Sequence, residues 1–336
     1  MANGQSGQSP PGEGGTFLSG LSVVIPVYRS EEILPELSRR LESVLKKIAR
    51  NYELILVNDD SPDRSWDVIC QLARQYGWVR PIDLMRNFGQ HNALLCGIRA
   101  ARYEVIVTMD DDLQHPPEEI PKLIAVLAQG YDVVYGTPEH EAHGGLRNLA
   151  SVVSKIALQS AMGAEIARRV SAFRVFRTEV ARAFGNYAGS FVSIDVLLTW
   201  GTSRFAAKVV HHEPRKQGTS GYTFRKLITH AINMMTGFTT LPLQLASLMG
   251  FGFTLFGILV LGYVLLRYFL HGSPVPGFPF LASIIAMFSG AQLFALGIIG
   301  EYLARMHFRT MQKPPYVVRL DAMNDKAESG GADALR

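Results

Sequence analysis

Residues 241–266, LPLQLASLMGFGFTLFGILVLGYVLL, run for 26 positions without a charged side chain, and residues 277–300 run for another 24. A helix crossing the hydrocarbon core of a bilayer needs roughly 20 apolar residues, so each stretch is long enough to span. The competing reading, a buried helical hairpin in a soluble protein, is disfavoured by that length. The link between them, HGSPVPGFP, carries no Lys or Arg, whereas RKQGTSGYTFRK before and RMHFRTMQKPPYVVR after are basic. Lys and Arg accumulate on cytoplasmic flanks. Both ends of the hairpin, and whatever precedes it, are therefore expected to face the cytoplasm, in a multi-pass protein of the cell (inner) membrane. The stretch YTFRKLITHAINMMTGF mixes apolar and basic residues and reads as a helix on the membrane interface.

The first half has a different texture. Continuous apolar runs occur at 21–28 (LSVVIPVY), 52–58 (YELILVN), 105–109 (VIVTM) and 131–136 (YDVVYG), with a weaker one at 79–85 (VRPIDLM). Helix-like segments such as 32–49 and 65–76 lie between them. Strands that are apolar at every position belong to parallel sheets covered on both faces. Such sheets bind ligands at the carboxyl ends of their strands, where Tyr28, Asp59 and the triplet Asp110, Asp111 and Asp112 all fall. The domain reading is a disordered tail at 1–20, an α/β domain at 21–221 and an interfacial helix at 222–240. A hairpin at 241–303 follows, with spans at about 241–268 and 277–302, and then a basic segment and tail at 304–336.

The net charge is +4, which suits a membrane surface or phosphate-bearing ligands and gives no nucleic-acid signature. The two cysteines, Cys70 and Cys96, sit in helix-like runs, so a disulfide framework is not expected and a reducing compartment is. Residues 1–20 have neither the basic nor the apolar region of a signal peptide. No G-x-G-x-x-G follows the first strand and no G-x-x-x-x-G-K-[ST] occurs, which removes the main support for a dinucleotide oxidoreductase or a P-loop enzyme.

Asp110 and Asp112, two apart on an extended chain, point to one side and can share a hard divalent cation, while Asp111 points away. Gln114 can add a carbonyl oxygen in the same direction. Oxygen donors suit Mg²⁺ or Mn²⁺, which bind through one or two carboxylates plus substrate phosphates. On spacing alone, a solvated turn explains three aspartates equally well.

The motifs VIPVY, NDDSPD, MRNFGQHNALLCG, MDDDLQHPPEEIP and GEYLARM occur in order between Leu21 and Val318. With them and the two spans, the chain resembles the family 2 inverting glycosyltransferases in the branch that makes polyprenyl-phosphate sugars. The resemblance implies a GT-A fold, Rossmann-like with a mostly parallel sheet, followed by interfacial helices and the transmembrane hairpin. It implies transfer of one sugar from a UDP- or GDP-linked donor to a polyprenyl (undecaprenyl or dolichyl) phosphate, and leaves a homo-oligomer open. Pro26, Tyr28 and Asp59 would contact the nucleotide, with Arg86 and Asn87 nearby. Asp110, Asp112 and Gln114 would hold Mg²⁺ or Mn²⁺ and the diphosphate. Arg147 and Ser151 would face the acceptor phosphate, and Arg215, Lys216, Ser220 and Tyr222 the donor phosphates. His91 reads as a polar group at a helix start and His115 as a solvated neighbour of the site.

Three positions depart from the family pattern. Ser30 stands where P-V-Y-N-E has glutamate, with Glu31 or Glu32 as substitutes. Asp60 stands where D-D-G-S has glycine. Ala172 stands where some relatives carry an acidic residue, which removes one candidate general base. A phosphomonoester has a second pKa near ~6, so a lipid phosphate is already nucleophilic at neutral pH and positioning with leaving-group stabilisation suffices. Asp195 is a candidate auxiliary base that could equally cap a helix. A processive polysaccharide synthase would carry Q-x-x-R-W and more spans. A non-catalytic membrane scaffold would have no need for this set of acidic and basic positions.

Overall fold

The computed structural model of the chain describes residues 17–138, 166–167, 169–189, 191–213, 241–271 and 278–321. Strands β1 (Leu18–Val27), β2 (Ala49–Asn58), β3 (Val79–Leu84) and β4 (Val105–Thr108) alternate with helices α1 (Leu34–Ile48), α2 (Ser65–Gln75) and α3 (Gln90–Ala100). A 3-10 turn at Pro117–Glu119 and α4 (Ile120–Leu127) lead to β5 (Val133–Pro138). Then come β6 (Arg174–Arg177), α5 (Thr178–Arg182), α6 (Ile194–Gly201) and β7 (Phe205–Val210). Two long helices, α7 (Leu241–His271) and α8 (Phe278–Thr310), precede a last strand, β8 (Val318–Asp321).

The eight strands among the described residues form one sheet in the order β7-β5-β6-β4-β1-β2-β3-β8. β1 pairs in parallel with β2 and β4, β2 with β3, and β5 with β7. β6 runs antiparallel between β4 and β5, and β8 antiparallel on β3. The mostly parallel α/β sheet expected from the apolar runs is present. Strand β1 starts at Leu18, however, so Leu18, Ser19 and Gly20 belong to the sheet and not to a tail. Tyr28 lies just beyond the strand that was expected to contain it.

Both faces of the sheet are covered. Val23, Ile25 and Val27 of β1 pack with Leu37 and Leu41 of α1, while Val24 packs on the other side with Leu94 and Ile98 of α3. Burying one such Val or Leu stabilises the fold by about 1.5–3 kcal/mol. Helix α1 earns its place through Leu34, Leu37, Leu41, Val44 and Leu45, which recur at helical spacing and are all buried. Helix α3 approaches the sheet so closely that a Cβ on Gly97 would stand 2.3 Å from Val24 Cγ1. Only glycine fits there, and that close approach sets where the start of α3 meets the strand ends.

Helices α7 and α8 contain windows, Pro242–Arg267 and Met287–His307, long and apolar enough to cross a membrane, with mean hydropathies of 2.1 and 1.3. Neither window is buried by protein: Leu259 is 64% exposed and Leu293 70%. A lipid environment covers such surface, and the protein is membrane-associated. The two helices meet edge-to-face at Phe253 and Phe288, with ring centroids 5.7 Å apart. Both run past the expected spans, α8 as far as Thr310. The interfacial helix expected at 222–240 lies outside the described residues.

Candidate active site

The carboxyl ends of β1, β2 and β4 and the loop between β3 and α3 enclose a cleft of about 440 Å³. Pro26, Val27 and Tyr28 line it from β1, Asp59 from β2, Asn87, Gly89 and Gln90 from the loop and α3, and Asp110, Asp111 and Asp112 from β4. Among the described residues, four non-glycine residues have positive φ, and three of them, Arg29, Asp60 and Leu113, adjoin this cleft. Backbone held in that region costs about 1–3 kcal/mol per residue and clusters at functional sites.

Each aspartate of the triplet has its own partner. Asp110 Oδ1 accepts a 2.6 Å hydrogen bond from Gln90 Nε2 at the start of α3. Asp112 Oδ1 accepts the backbone N–H of Gln114 at 3.1 Å. Asp111 Oδ2 accepts the Tyr28 N–H at 3.1 Å and the hydroxyl of Ser30. The expectation that Asp111 points away is therefore overturned. The chain is not extended beyond Thr108; it bends through Leu113 at φ 58, so strict alternation of side chains fails. Burial pushes the Asp111 carboxyl up to about 6, against the pull of the Ser30 hydroxyl and the Tyr28 N–H, and the Asp112 charge adds to the rise. The same bend keeps Gln114 off the cleft wall. Its backbone carbonyl accepts the Glu213 N–H at 3.0 Å, which ties the bend to the segment that follows β7. Among the described residues, no group of three or more His, Cys, Asp or Glu is placed to hold a metal ion.

Asp59 is buried and fixes the neighbouring loop. Its Oδ1 accepts the Phe88 N–H at 2.7 Å and its Oδ2 the Gly89 N–H at 2.8 Å, while Asn87 Nδ2 donates to its carbonyl at 3.2 Å. Burial raises its carboxyl above the usual range, partly countered by those two N–H groups. Asp59 thus shapes the cleft as well as lining it. Tyr28 is 44% exposed, which rules out ordinary core packing, and it lines the cleft with the Arg29 guanidinium 5.3 Å over its ring. The Arg86 guanidinium lies over the Phe88 ring at 4.6 Å, beside the lining residues and not among them.

Asp195 does not stand free as a base. Its carboxylate is paired with Arg174, which is 1% exposed, and accepts a 3.2 Å hydrogen bond from Tyr135. Arg174 also donates to Thr108 Oγ1 at 2.9 Å, directly behind the triplet. Breaking a buried pair leaves an uncompensated charge, so the cluster reads as scaffolding for the end of β4. The backbone N–H of Ile194 donates to His91 Nδ1 at 3.4 Å, in keeping with a polar role at the start of α3. Glu31, offered as a substitute for the missing glutamate, accepts the Arg64 N–H at 2.8 Å and sits away from the cleft lining.

Sequence reasoning missed Gln90 and the role of Ser30. The departure at Ser30 was the available signal: a small hydroxyl there reaches Asp111. Arg147, Ser151, Arg215, Lys216, Ser220 and Tyr222 lie outside the described residues.

Aspartates at the ends of two strands, β2 and β4, line a cleft at the carboxyl edge of a mostly parallel sheet, which is where α/β enzymes of this architecture bind their ligands. Residues 22–185 match the family described as glycosyl transferase family 2. The chain is 36% identical, over 92% of its length and 94% of the relative's, to the undecaprenyl-phosphate 4-deoxy-4-formamido-L-arabinose transferase of Shewanella sediminis. It is 35% identical to the protein of the same name from Pectobacterium carotovorum, with 90% and 93% covered. The chain belongs to the family 2 glycosyltransferases and is an enzyme of that class. Among solved structures it resembles glucosyl-3-phosphoglycerate synthase from Mycobacterium tuberculosis in complex with Mn²⁺ and uridine-diphosphate-glucose. That match has a TM-score of 0.47 at 17% identity and covers 65% of this chain and 77% of that one.

His115 corrects another expectation. It is 6% exposed, with its ring 5.3 Å from Phe173 and 4.7 Å, edge-on, from His212. Burial drives it down to about 3, and the neighbouring His212 and Arg174 push the same way. A folded value below the unfolded ~6.5 means that the unfolded chain binds the proton first. Stability from this group is full above that value and falls as the pH drops below it. Melting temperature should decline from pH 7 to pH 5, and His115→Phe should flatten the slope. An unchanged slope in the variant would remove His115 as its source.

Proposed function

We propose that the enzyme moves one sugar from a UDP- or GDP-linked donor to a polyprenyl phosphate at the cytoplasmic membrane face, inverting the anomeric centre. The observation that carries this reading is the carboxylate-lined cleft in a chain that also bears two membrane-length helices. The names of the relatives support undecaprenyl phosphate as the acceptor and put a 4-formamido-arabinose type of sugar first among donors to try.

An acceptor phosphate oxygen attacks the anomeric carbon from the face opposite the nucleotide. The bond to the diphosphate breaks, and its electron pair leaves with the nucleoside diphosphate. Tyr28 offers its ring to the nucleobase, Asn87 bounds the nucleotide side, and Asp59 keeps that loop in place. Arg147 and Ser151 are assigned to the acceptor phosphate, and Arg215, Lys216, Ser220 and Tyr222 to the donor phosphates. Asp110 and Asp112 present only oxygen donors to one cleft, which fits Mg²⁺ or Mn²⁺ completed by a diphosphate. When bound, such an ion neutralises the charge that builds on the leaving group. Asp195, committed to Arg174, supports the site without taking a proton, and the ionised acceptor needs no base.

Topology follows from the basic flanks. A cysteine placed at Ser273 should be labelled by an impermeant reagent from outside the cell, and one at Thr219 should not. The reverse pattern would remove access to cytosolic donor.

Purified protein, undecaprenyl phosphate and a panel of radiolabelled nucleotide sugars test the reaction itself. One donor should yield a labelled lipid, EDTA should silence the reaction, and Mg²⁺ or Mn²⁺ should restore it. Asp112→Ala should abolish transfer while the protein still melts normally. Asp111→Ala should weaken donor binding by roughly tenfold, since two hydrogen bonds to the Tyr28–Ser30 turn are lost. Full activity in EDTA, or normal turnover by Asp112→Ala, would return the triplet to the status of a solvated turn.

A further inference from the structure

The segment that follows α8 returns to the donor side of the sheet. The Arg99 guanidinium of α3 lies over the Tyr316 ring at 5.6 Å and its Nη1 is 3.4 Å from the Tyr316 hydroxyl. The Met85 N–H donates to the Val317 carbonyl at 2.9 Å, and β8 then pairs with β3. From β8, Arg319 reaches three acceptors. Its Nη1 donates to Asp83 Oδ2 at 3.1 Å; its Nη2 donates to the Met85 carbonyl at 2.9 Å and to Asp60 Oδ1 at 3.4 Å. Asp83, 2% exposed, also accepts from Asn58 Nδ2 at 2.7 Å, and Asn58 Oδ1 accepts the Ser61 N–H at 3.3 Å.

One side chain from beyond the membrane helices therefore ties together the ends of β2 and β3. Both ends feed the cleft directly, because Asp59 follows Asn58 and Asn87 lies two residues after Met85. Asp60 supplies a second observation. Its φ of 54 is the left-handed conformation that glycine favours, and glycine is what the resembling motif carries at this position. Here the chain keeps an aspartate in that conformation, and the aspartate's carboxylate meets Arg319.

We propose that Arg319 is a positioning residue for the nucleotide donor, acting through the Met85 carbonyl, Asp83 and Asp60 on the two turns that wall the cleft. Nucleotide affinity is thereby coupled to the strand that leaves the membrane. The inference rests on the glycosyltransferase reading above.

The test uses the full-length chain in lipid nanodiscs. UDP and GDP are each titrated by calorimetry, and the one bound more tightly by the wild type serves as the probe. Arg319→Ala should weaken that nucleotide roughly tenfold, the effect of one lost charge-assisted contact set. The donor KM should rise in step while the acceptor KM stays constant. Arg319→Lys should recover part of the affinity, since an ammonium can meet a carboxylate but cannot span all three acceptors. Asp60→Gly removes one partner and relieves the backbone, so it keeps the test open if Arg319→Ala fails to fold. It should weaken the nucleotide by about two- to fivefold. Unchanged nucleotide binding in the variants, or equal losses for donor and acceptor, would overturn the proposal. A wild type that binds neither nucleotide would overturn the glycosyltransferase reading first, and this inference with it.

Discussion

Three adjacent carboxylates at the end of β4 are the constraint around which the cleft is organised. Two unit charges 4 Å apart repel by about 4 kcal/mol at a surface-like dielectric, so the triplet persists only if each member is separately satisfied. Asp110 turns to Gln90, Asp112 to the Gln114 N–H, and Asp111 to Tyr28 and Ser30. Those partners come from α3, from the bend itself and from the end of β1. The repulsion is answered by drawing three segments together, and the cleft is the space they enclose.

The scaffold behind the triplet serves the same end. Thr108 is held by Arg174, Arg174 by Asp195, and Asp195 also by Tyr135. Burial holds the Tyr135 hydroxyl protonated, well above its ordinary range, so it stays a donor to Asp195. On the other flank, Asp59 fixes the loop that opens α3, and β8 closes the edge beside β3. The segment that follows α8 is thus attached to the β3 edge of the sheet through a strand.

Much of this was legible in the sequence. Strands β1, β2, β4 and β5 each contain a continuous apolar run, and β3 a weaker one, because both faces of the sheet are covered, and such runs stand out against amphipathic helices such as α1. Strands β6, β7 and β8 did not stand out in this way. Arg174–Arg177 sets two apolar residues between two arginines yet buries Arg174 through a pairing that no local pattern reveals. Val318–Asp321 sits at an edge, and its partner β3 is more than 230 residues away in the chain, as the contact of Arg319 with Asp83 records. Within the site, strand alternation assigned Asp110 and Asp112 to one cleft but misplaced Asp111, because the extended geometry ends at Thr108 and the chain then bends, with Leu113 at a positive φ. His115 misled for a related reason: a polar residue after a carboxylate cluster reads as solvated, yet the bend turns its ring onto Phe173.

Anomalous scattering from crystals grown with Mn²⁺ and the bound nucleoside diphosphate tests the central claim most directly. The account predicts one manganese peak between the diphosphate and the carboxylates of Asp110 and Asp112, with Asp111 still on the Tyr28 N–H and the Ser30 hydroxyl. A peak coordinated by Asp111, or a bound diphosphate with no manganese at the triplet, would contradict it.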